Sequence, residues 1–274
     1  MRKRLVCIAG AVLTAGAPAA LAQPDAPAPA VRTTGSAFLN ITPKRITFDR
    51  GRRIGAVFLL NQGAEPVTVD VALVDRVMLS DGQIFAVDDA ARREDGRAAV
   101  AQLKSAKELL QLSPRRVTLQ PGRPQTVRLR LASLPDAAGG EHRTHLTVTT
   151  LPPRNSGATP EAVANPAGAE LSFRITAVYG LSIPVIVRPA EADVVASLEG
   201  ARLEYAEISG DGRAPPRRTA VVALDLVRGG ASSVYGNVEV RVAGDRKGAE
   251  PLGIARGVGV YPEVDRRMVR IPLT

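Results

Sequence analysis

The side chains that could support catalysis or bind a metal are few, and their spacing does not suit either role. The sequence has two histidines, His142 and His145, and three positions of separation in a predicted strand put them on opposite faces, where they cannot share a zinc ion. Asp88 and Asp89 are adjacent, whereas a calcium loop needs carboxylates at alternate positions, so we interpret them as part of a solvated loop. No nucleophile elbow, P-loop or dinucleotide fingerprint occurs. The sequence therefore predicts no enzyme, no metal and no cofactor.

The N-terminus has the pattern of an export signal. A basic start, Met1–Arg4, is followed by a short apolar stretch and by Ala20-Leu21-Ala22, which fits the small-x-small cleavage pattern. A membrane-spanning helix needs about 20 apolar residues, and this stretch is shorter. We predict cleavage between Ala22 and Gln23. The only cysteine, Cys7, lies inside the signal, so the mature chain is expected to have no disulfide and no cysteine metal ligand.

The charge and the aromatic content bear on the class of partner. The formal net charge is +9, and three of those charges, at Arg2, Lys3 and Arg4, lie in the predicted signal. Aromatic residues make up 3% of the chain and tryptophan is absent, whereas proteins that bind single-stranded nucleic acid need aromatic stacking platforms. No helical DNA-reading motif occurs either. These features argue against nucleic acid and favour an acidic protein partner or an anionic envelope surface.

Short alternating segments separated by glycine and proline turns predict an all-β chain. Only Asp89 to Leu112 is expected to be helical or irregular, and the turn Gln120-Pro121-Gly122 is expected to join its two flanking strands as a pair. The first strand contains Pro43, which indicates a sheet edge. The strands predicted in this part are Phe38–Phe48, Ile54–Leu60, Val67–Leu73, Val117–Leu119, Thr126–Leu131 and His145–Thr149.

One later segment alternates over about 18 residues, whereas typical strands have about 5–6. It follows a loop, 155–170, whose length indicates that it is functional or mobile. A strand this long must extend past its neighbours, bend at Gly180 or Pro184, or do both. The apolar positions that share one face are Leu171, Phe173, Ile175, Ala177, Tyr179, Leu181, Ile183, Val185 and Val187.

The pattern breaks at Arg188-Pro189-Ala190-Glu191, which we interpret as a domain boundary. We predict a signal peptide over 1–22, a disordered leader over 23–36, an N-terminal domain over 37–189 and a C-terminal domain over 190–274. The predicted fold is all-β, with two immunoglobulin-like β-sandwich domains. Strands expected in the second domain are Val194–Leu198, Thr219–Leu226, Val238–Val242, Val258–Tyr261 and Arg270–Leu273.

Several motifs, in order, resemble a known family over roughly residues 37–190. The most specific is the block Ser113–Arg128. Pro43–Phe48, Asn61-Gln62-Gly63, Glu141-His142-Arg143 and Ile183–Pro189 occur at matching places. They resemble the periplasmic pilus chaperones of the chaperone–usher pathway, the PapD-like family. The resemblance implies a periplasmic protein that lends its long strand to a pilus subunit whose own sandwich lacks one strand.

The resemblance also implies roles for particular residues. The donor positions would be Phe173, Ile175, Ala177 and Tyr179, while Leu181–Val187 is expected to cover the protein's own core. A structural ion pair between Glu141 and Arg188 would fix the angle between the domains.

Arg45 matches the first of two basic residues that anchor the subunit's terminal carboxylate in this family; its alternative interpretation is a solvated surface charge. The second basic residue of the family falls on Pro184. Another base, Lys44 or Arg174, would have to replace it, or the anchoring is altered or absent.

Two functions of different classes follow from the sequence. The first is a non-enzymatic periplasmic chaperone that caps pilus-type subunits by strand donation and needs no cofactor, no small-molecule substrate and at most peripheral membrane contact. The second is a structural or protein-binding module of the cell envelope that keeps the fold without capping subunits, and Pro184 favours it. A pilus subunit fits poorly, because this chain ends Pro272-Leu273-Thr274 without the aromatic residue usual next to a subunit's C-terminus. The sequence leaves open whether an outer-membrane usher takes part.

Overall fold

The structure, a computed structural model, describes residues 39–152, 178–209, 215–244, 246 and 248–273. The expected signal, leader, 155–170 loop and the donor positions Phe173, Ile175 and Ala177 lie outside these residues. Within the described ranges, no helix is long and apolar enough to cross a membrane.

Strands dominate the described chain, and its α-helices occur only between β6 and β7. In chain order the strands are β1 (Leu39–Thr42), β2 (Ile46–Phe48), β3 (Ile54–Asn61), β4 (Val67–Val74), β5 (Arg76–Met78), β6 (Ile84–Ala86), β7 (Leu110–Ser113), β8 (Arg116–Leu119), β9 (Gln125–Leu131), β10 (His142–Thr150), β11 (Gly180–Val187), β12 (Ala196–Ile208), β13 (Arg217–Arg228), β14 (Val234–Val240), β15 (Gly253–Val260) and β16 (Arg266–Pro272). The two α-helices are α1 (Val87–Ala91) and α2 (Glu94–Gln102).

Two sheets form the N-terminal sandwich, with strand orders β1-β3-β9-β7 and β2-β11-β10-β4-β8. Its core lies between them and includes Phe48, Val57 and Leu129, all of them fully buried. From β11, Ile183, Val185 and Val187 join this core, because alternate residues of a strand point to the same face. The Leu181–Val187 part of the long apolar face therefore covers the protein's own core.

Two pairings differ from the sequence prediction. The expected strand Phe38–Phe48 is divided at Pro43: β1 pairs with β3 in one sheet, and β2 pairs in parallel with β11 in the other. Proline has no N–H for a ladder, so the break between the sheets falls there. The strands around Gln120-Pro121-Gly122 do not pair with each other, because β8 pairs with β4 and β9 pairs with β3 and β7. The turn instead carries the chain from one sheet to the other across the shared core.

A small insert, β5 to α2, lies between β4 and β7 and has its own core, with Val77, Leu79, Ala90 and Ala99 buried. Asp88 and Asp89 are exposed, as expected, but the prediction of a loop is wrong, since both residues lie in the first turn of α1. Carboxylates are favourable there because the N-terminus of a helix carries a partial positive charge.

The C-terminal sandwich has a three-stranded sheet, β12-β13-β16, and a two-stranded sheet, β14-β15. Leu224, Leu226, Val260 and Ile271 form the centre of its core. The fold is therefore all-β with two sandwiches, as predicted. The largest difference between a predicted and an observed strand length is at β12. The sequence predicts Val194–Leu198, whereas β12 begins at Ala196 and ends at Ile208.

Candidate functional site: the edge of β11 and the neighbouring polar cluster

The edge of β11 is open along part of its length. On one side β11 pairs with β10 from Gly180 to Val187, and the ladder continues to Tyr179, whose carbonyl oxygen accepts from Thr150 N at 2.9 Å. On the other side β2 pairs only with Val185–Val187. The outer edge of Gly180–Pro184 thus pairs with no strand in the described part of the chain, and such an edge can accept another strand.

The side chains at this edge differ in exposure. Tyr179 is 42% exposed. The preceding residue, Val178, which belongs to the other set of alternating positions, is 58% exposed. Pro184 lies opposite His145 in the β10–β11 ladder. Because proline lacks an N–H, β11 has one backbone donor fewer at that position.

The predicted partners Glu141 and Arg188 lie together beside the end of β11. Arg188 Nε donates to Glu141 Oε2 at 2.8 Å. The same carboxylate oxygen accepts from the backbone N and the Oγ of Ser233, each at 3.1 Å. Ser233 precedes β14, so this buried carboxylate joins the N-terminal sandwich to the C-terminal one.

Arg45 lies in the same cluster and is half-buried rather than solvated. Its Nη2 donates to Ser233 Oγ at 2.8 Å, and its guanidinium lies 4.8 Å from the ring centroid of Tyr235 and 5.9 Å from that of Tyr261. Burial lowers the pKa of Arg45, and Nη1 is buried without a hydrogen-bond partner among the described residues. Lys44 is exposed outside this cluster, and its Nζ donates to Asn40 Oδ1 at 2.7 Å.

A second, fully buried ion pair lies next to these residues and was not expected from the sequence. Arg143 Nη2 pairs with Glu263 Oε1, and both side chains are only 2% exposed. The same oxygen of Glu263 accepts from Met78 N at 3.0 Å, and the Arg143 guanidinium lies 4.0 Å from the ring centroid of Tyr261. Burial lowers the pKa of Arg143 to about 10. No motif could have identified this pair, because its members belong to different sandwiches.

The two histidines occupy different surroundings. His145 is buried, with Arg143 Nη1 3.3 Å from its ring nitrogens and Tyr261 edge-on at 6.5 Å between ring centroids. Burial, together with the charges of Arg143 and Arg76, lowers its pKa to about 2, so the ring is neutral at physiological pH. His142 lies at the start of β10 with Nδ1 3.1 Å from Gly140 O, and burial lowers its pKa as well. Within the described ranges, no group of three or more His, Cys, Asp or Glu side chains could hold a metal ion.

The arrangement suits binding and positioning. The β11 edge presents backbone hydrogen-bonding groups, and the cluster of Arg45, Glu141, Arg188 and Ser233 connects the end of that strand to the C-terminal sandwich. Charge-assisted hydrogen bonds of this kind are stronger than neutral ones and restrict geometry.

No protein-family model matches this sequence, and no curated protein sequence matches it significantly. The solved structures that match the chain include many fimbrial periplasmic chaperones. The E. coli chaperone DraB shares 13% identity with a TM-score of 0.40, over 87% of this chain and 85% of that chain. A structure of the Salmonella enterica SafA pilin in complex with the SafB chaperone matches with 13% identity and a TM-score of 0.41, over 88% and 86%. The CsuC–CsuE chaperone–tip subunit complex of Acinetobacter baumannii matches with 13% identity and a TM-score of 0.39, over 85% and 89%.

Proposed function

We propose that this protein is a periplasmic chaperone that binds and caps pilus-type subunits by donating a β-strand, with an N-terminal domain over 37–189 and a C-terminal domain over 190–274. The observation that supports it is the outer edge of Gly180–Pro184, which pairs with no strand among the described residues and directly follows the proposed donor positions. The resemblance of the Ser113–Arg128 block to the pilus chaperone family supports it independently.

The proposed mechanism uses backbone pairing and apolar fit. A subunit that lacks one strand has an unpaired sheet edge and an open core. The donated strand would pair with that edge, while Phe173, Ile175, Ala177 and Tyr179 fill the open core with alternate side chains. Backbone hydrogen bonds supply affinity and the apolar row supplies the fit. This mechanism requires no nucleotide, metal or covalent step.

Arg45 is the proposed anchor for the subunit's terminal carboxylate, with the neighbouring Lys44 as a surface base that adds positive charge. Support comes from Arg45 Nη1, which has no hydrogen-bond partner among the described residues. This donor is buried, so the Arg45 side chain would have to move for a carboxylate to reach it and form a charge-assisted hydrogen bond. Glu141 and Arg188 would keep a structural role, since Arg188 Nε already donates to Glu141 Oε2.

A periplasmic pull-down tests the proposal. The tagged protein is compared with Ile175→Asp/Tyr179→Asp, which places two charges on the proposed donor face, and with Val178→Asp, a control on the opposite face at an exposed position. We expect the unchanged protein and the control to recover a stoichiometric β-rich secreted subunit, and the double variant to recover none. If all three forms fold and none captures such a subunit, the chaperone proposal fails.

Two observations favour the second candidate, an envelope binding module that does not cap subunits. Pro184 stands where the family has its second anchoring base, and Arg45 Nη2 is already bonded to Ser233. Under this candidate the basic side chains serve only to hold the two sandwiches together. The pull-down separates the candidates. For an envelope module, the amount of subunit recovered would not differ between the unchanged protein and the variant with Ile175 and Tyr179 substituted.

A further inference from the structure

We propose that two copies of this chain associate by antiparallel pairing of their β12 strands, in a two-fold register centred on Leu203. The proposal concerns the far edge of the C-terminal sandwich and does not depend on strand donation. The evidence is the open edge of β12, its uncovered apolar row and the order of its charges.

The outer edge of β12 is long. β12 lies at the end of its sheet, and among the described strands it pairs only with β13. It spans 13 residues, and every one from Ala196 to Leu203 is exposed. Natural sheet edges are usually shielded by proline, lysine or bulges. β12 contains neither proline nor lysine, and its single irregularity is the register shift between Glu199 and Arg202.

The apolar side chains of β12 point toward the core layer but remain uncovered. Leu203 pairs with Val222 of β13, whose side chain packs against the core of this sandwich. Even so, Leu203 is 60% exposed and Tyr205 is 61% exposed. The cause is the small size of the sheet that faces β12. In the C-terminal sandwich this facing sheet has two described strands, because β14 pairs only with β15 among the described strands. In the N-terminal sandwich one sheet has five strands, and its strand β4 has neighbours on both edges.

Arg202 and Glu204 favour one register for a second copy over the registers centred on either of them. In a two-fold antiparallel pair, one residue lies opposite its own copy. If that residue is Leu203, each Arg202 lies opposite Glu204 of the other copy, which forms two cross-strand ion pairs. If it is Arg202 or Glu204, like charges lie opposite each other, which is destabilising. The register centred on Leu203 also sets the two exposed leucines against each other and Tyr205 opposite Ala201. Counted along the sequence it would set Glu199 opposite Glu207, but the register shift between Glu199 and Arg202 displaces Glu199 from that position.

Within one chain, Arg202 and Glu204 already lie side by side on the outer face of the sheet, with Arg202 Nε 2.6 Å from Glu204 Oε1. Arg270 Nε lies 3.6 Å from the other oxygen of the same carboxylate. The two charges are therefore held at the edge with their side chains extended. Pairing would add a second ionic partner to Arg202 and a third to Glu204.

Disulfide trapping tests the register in a Cys7→Ala background, which removes the only native cysteine. Leu203→Cys would place two thiols on directly opposite residues, whose Cβ atoms lie about 4.5–5.5 Å apart, within reach of a disulfide after small adjustments. Tyr205→Cys is the register control, because its two copies would be offset by four residues, or about 13 Å. We expect the Leu203→Cys variant to form a covalent dimer under mild oxidation and the Tyr205→Cys variant to remain uncrosslinked.

Charge exchange tests the ion pairs by sedimentation equilibrium. Each single substitution, Arg202→Glu or Glu204→Arg, would place like charges opposite each other at two sites of the dimer. Each should therefore raise the dimer dissociation constant by about tenfold or more. The double exchange Arg202→Glu/Glu204→Arg restores opposite charges and should return the constant to within about threefold of the original. An unchanged chain that remains monomeric, cross-linking through Tyr205→Cys instead of Leu203→Cys, or a double exchange no better than the single ones would each overturn the proposal. Far-UV circular dichroism confirms that every variant is folded.

Discussion

Acidification should destabilise this protein, and His145 provides the mechanism. In the folded chain its pKa is lowered to about 2, first by burial and then by the charges of Arg143 and Arg76. In an unfolded chain the pKa of a histidine is about 6.5. Between these two values the unfolded state binds more protons than the folded state, so stability rises with pH. The contribution of His145 is therefore complete above about pH 6.5 and is lost as the pH falls toward 2.

The magnitude follows from the same two pKa values. Each pH unit below 6.5 costs about 1.4 kcal/mol of unfolding free energy from a single fully shifted group. A change from about pH 7.5 to about pH 4.5 crosses two such units and should cost about 2.7 kcal/mol. Carboxylates also begin to titrate near the lower end of this range, so the contribution of His145 must be isolated by substitution.

Urea unfolding at several pH values measures the effect in the unchanged chain, in His145→Gln and in His142→Gln. Glutamine does not titrate, so His145→Gln should flatten the dependence between about pH 6.5 and pH 4.5 by most of the 2.7 kcal/mol. His142→Gln should leave most of the slope in place, because His142 is only partly buried. Equal slopes in the unchanged chain and in His145→Gln would refute the assignment.

Two further predictions concern ion pairs of opposite burial. Glu263→Gln leaves the Arg143 charge buried without its counter-ion and should cost about 3–5 kcal/mol of unfolding free energy, measured by urea denaturation; a cost below about 1 kcal/mol would contradict a desolvated pair. Asp70→Asn breaks an exposed bidentate pair with Arg116. Because solvent screens this pair, the thermal midpoint of unfolding should not change within error. A clear drop of the midpoint would show that the pair is structural.

The sequence predicts the regular strands well because their burial alternates. β3 and β4 start at the predicted residues, Ile54 and Val67, and each runs one residue past its predicted end, since every second side chain enters the core and the pattern is local. β12 shows the opposite case. Its side chains are exposed on both faces along most of its length, so the short alternation of Leu203 and Tyr205 with charged residues is not matched by burial.

Pairings between distant segments could not be predicted from local patterns. The turn at Gln120-Pro121-Gly122 has the composition of a hairpin turn, but whether it joins strands of one sheet or of two depends on where the core lies. Glu141 and Arg188 could be named in advance because a family resemblance supplied them. Their common partner Ser233 and the neighbouring Glu263 come from the other sandwich, where the resemblance ends.

The balance of charge in the polar cluster bears on the carboxylate anchor. Among the described residues, Arg45, Arg143 and Arg188 lie near the carboxylates Glu141 and Glu263, and Asp75 also acts on Arg143. Glu141 pairs with Arg188 and Glu263 pairs with Arg143, so among the described residues Arg45 has only the neutral Ser233 hydroxyl as a hydrogen-bond acceptor. The charge of Glu141 also acts on Arg45, and Arg45 Nη1 is buried without a hydrogen-bond partner among the described residues. Under the proposed anchoring, the Arg45 side chain would have to move so that a carboxylate could reach this donor, and the two would then form a charge-assisted hydrogen bond even with Pro184 in place of a second base.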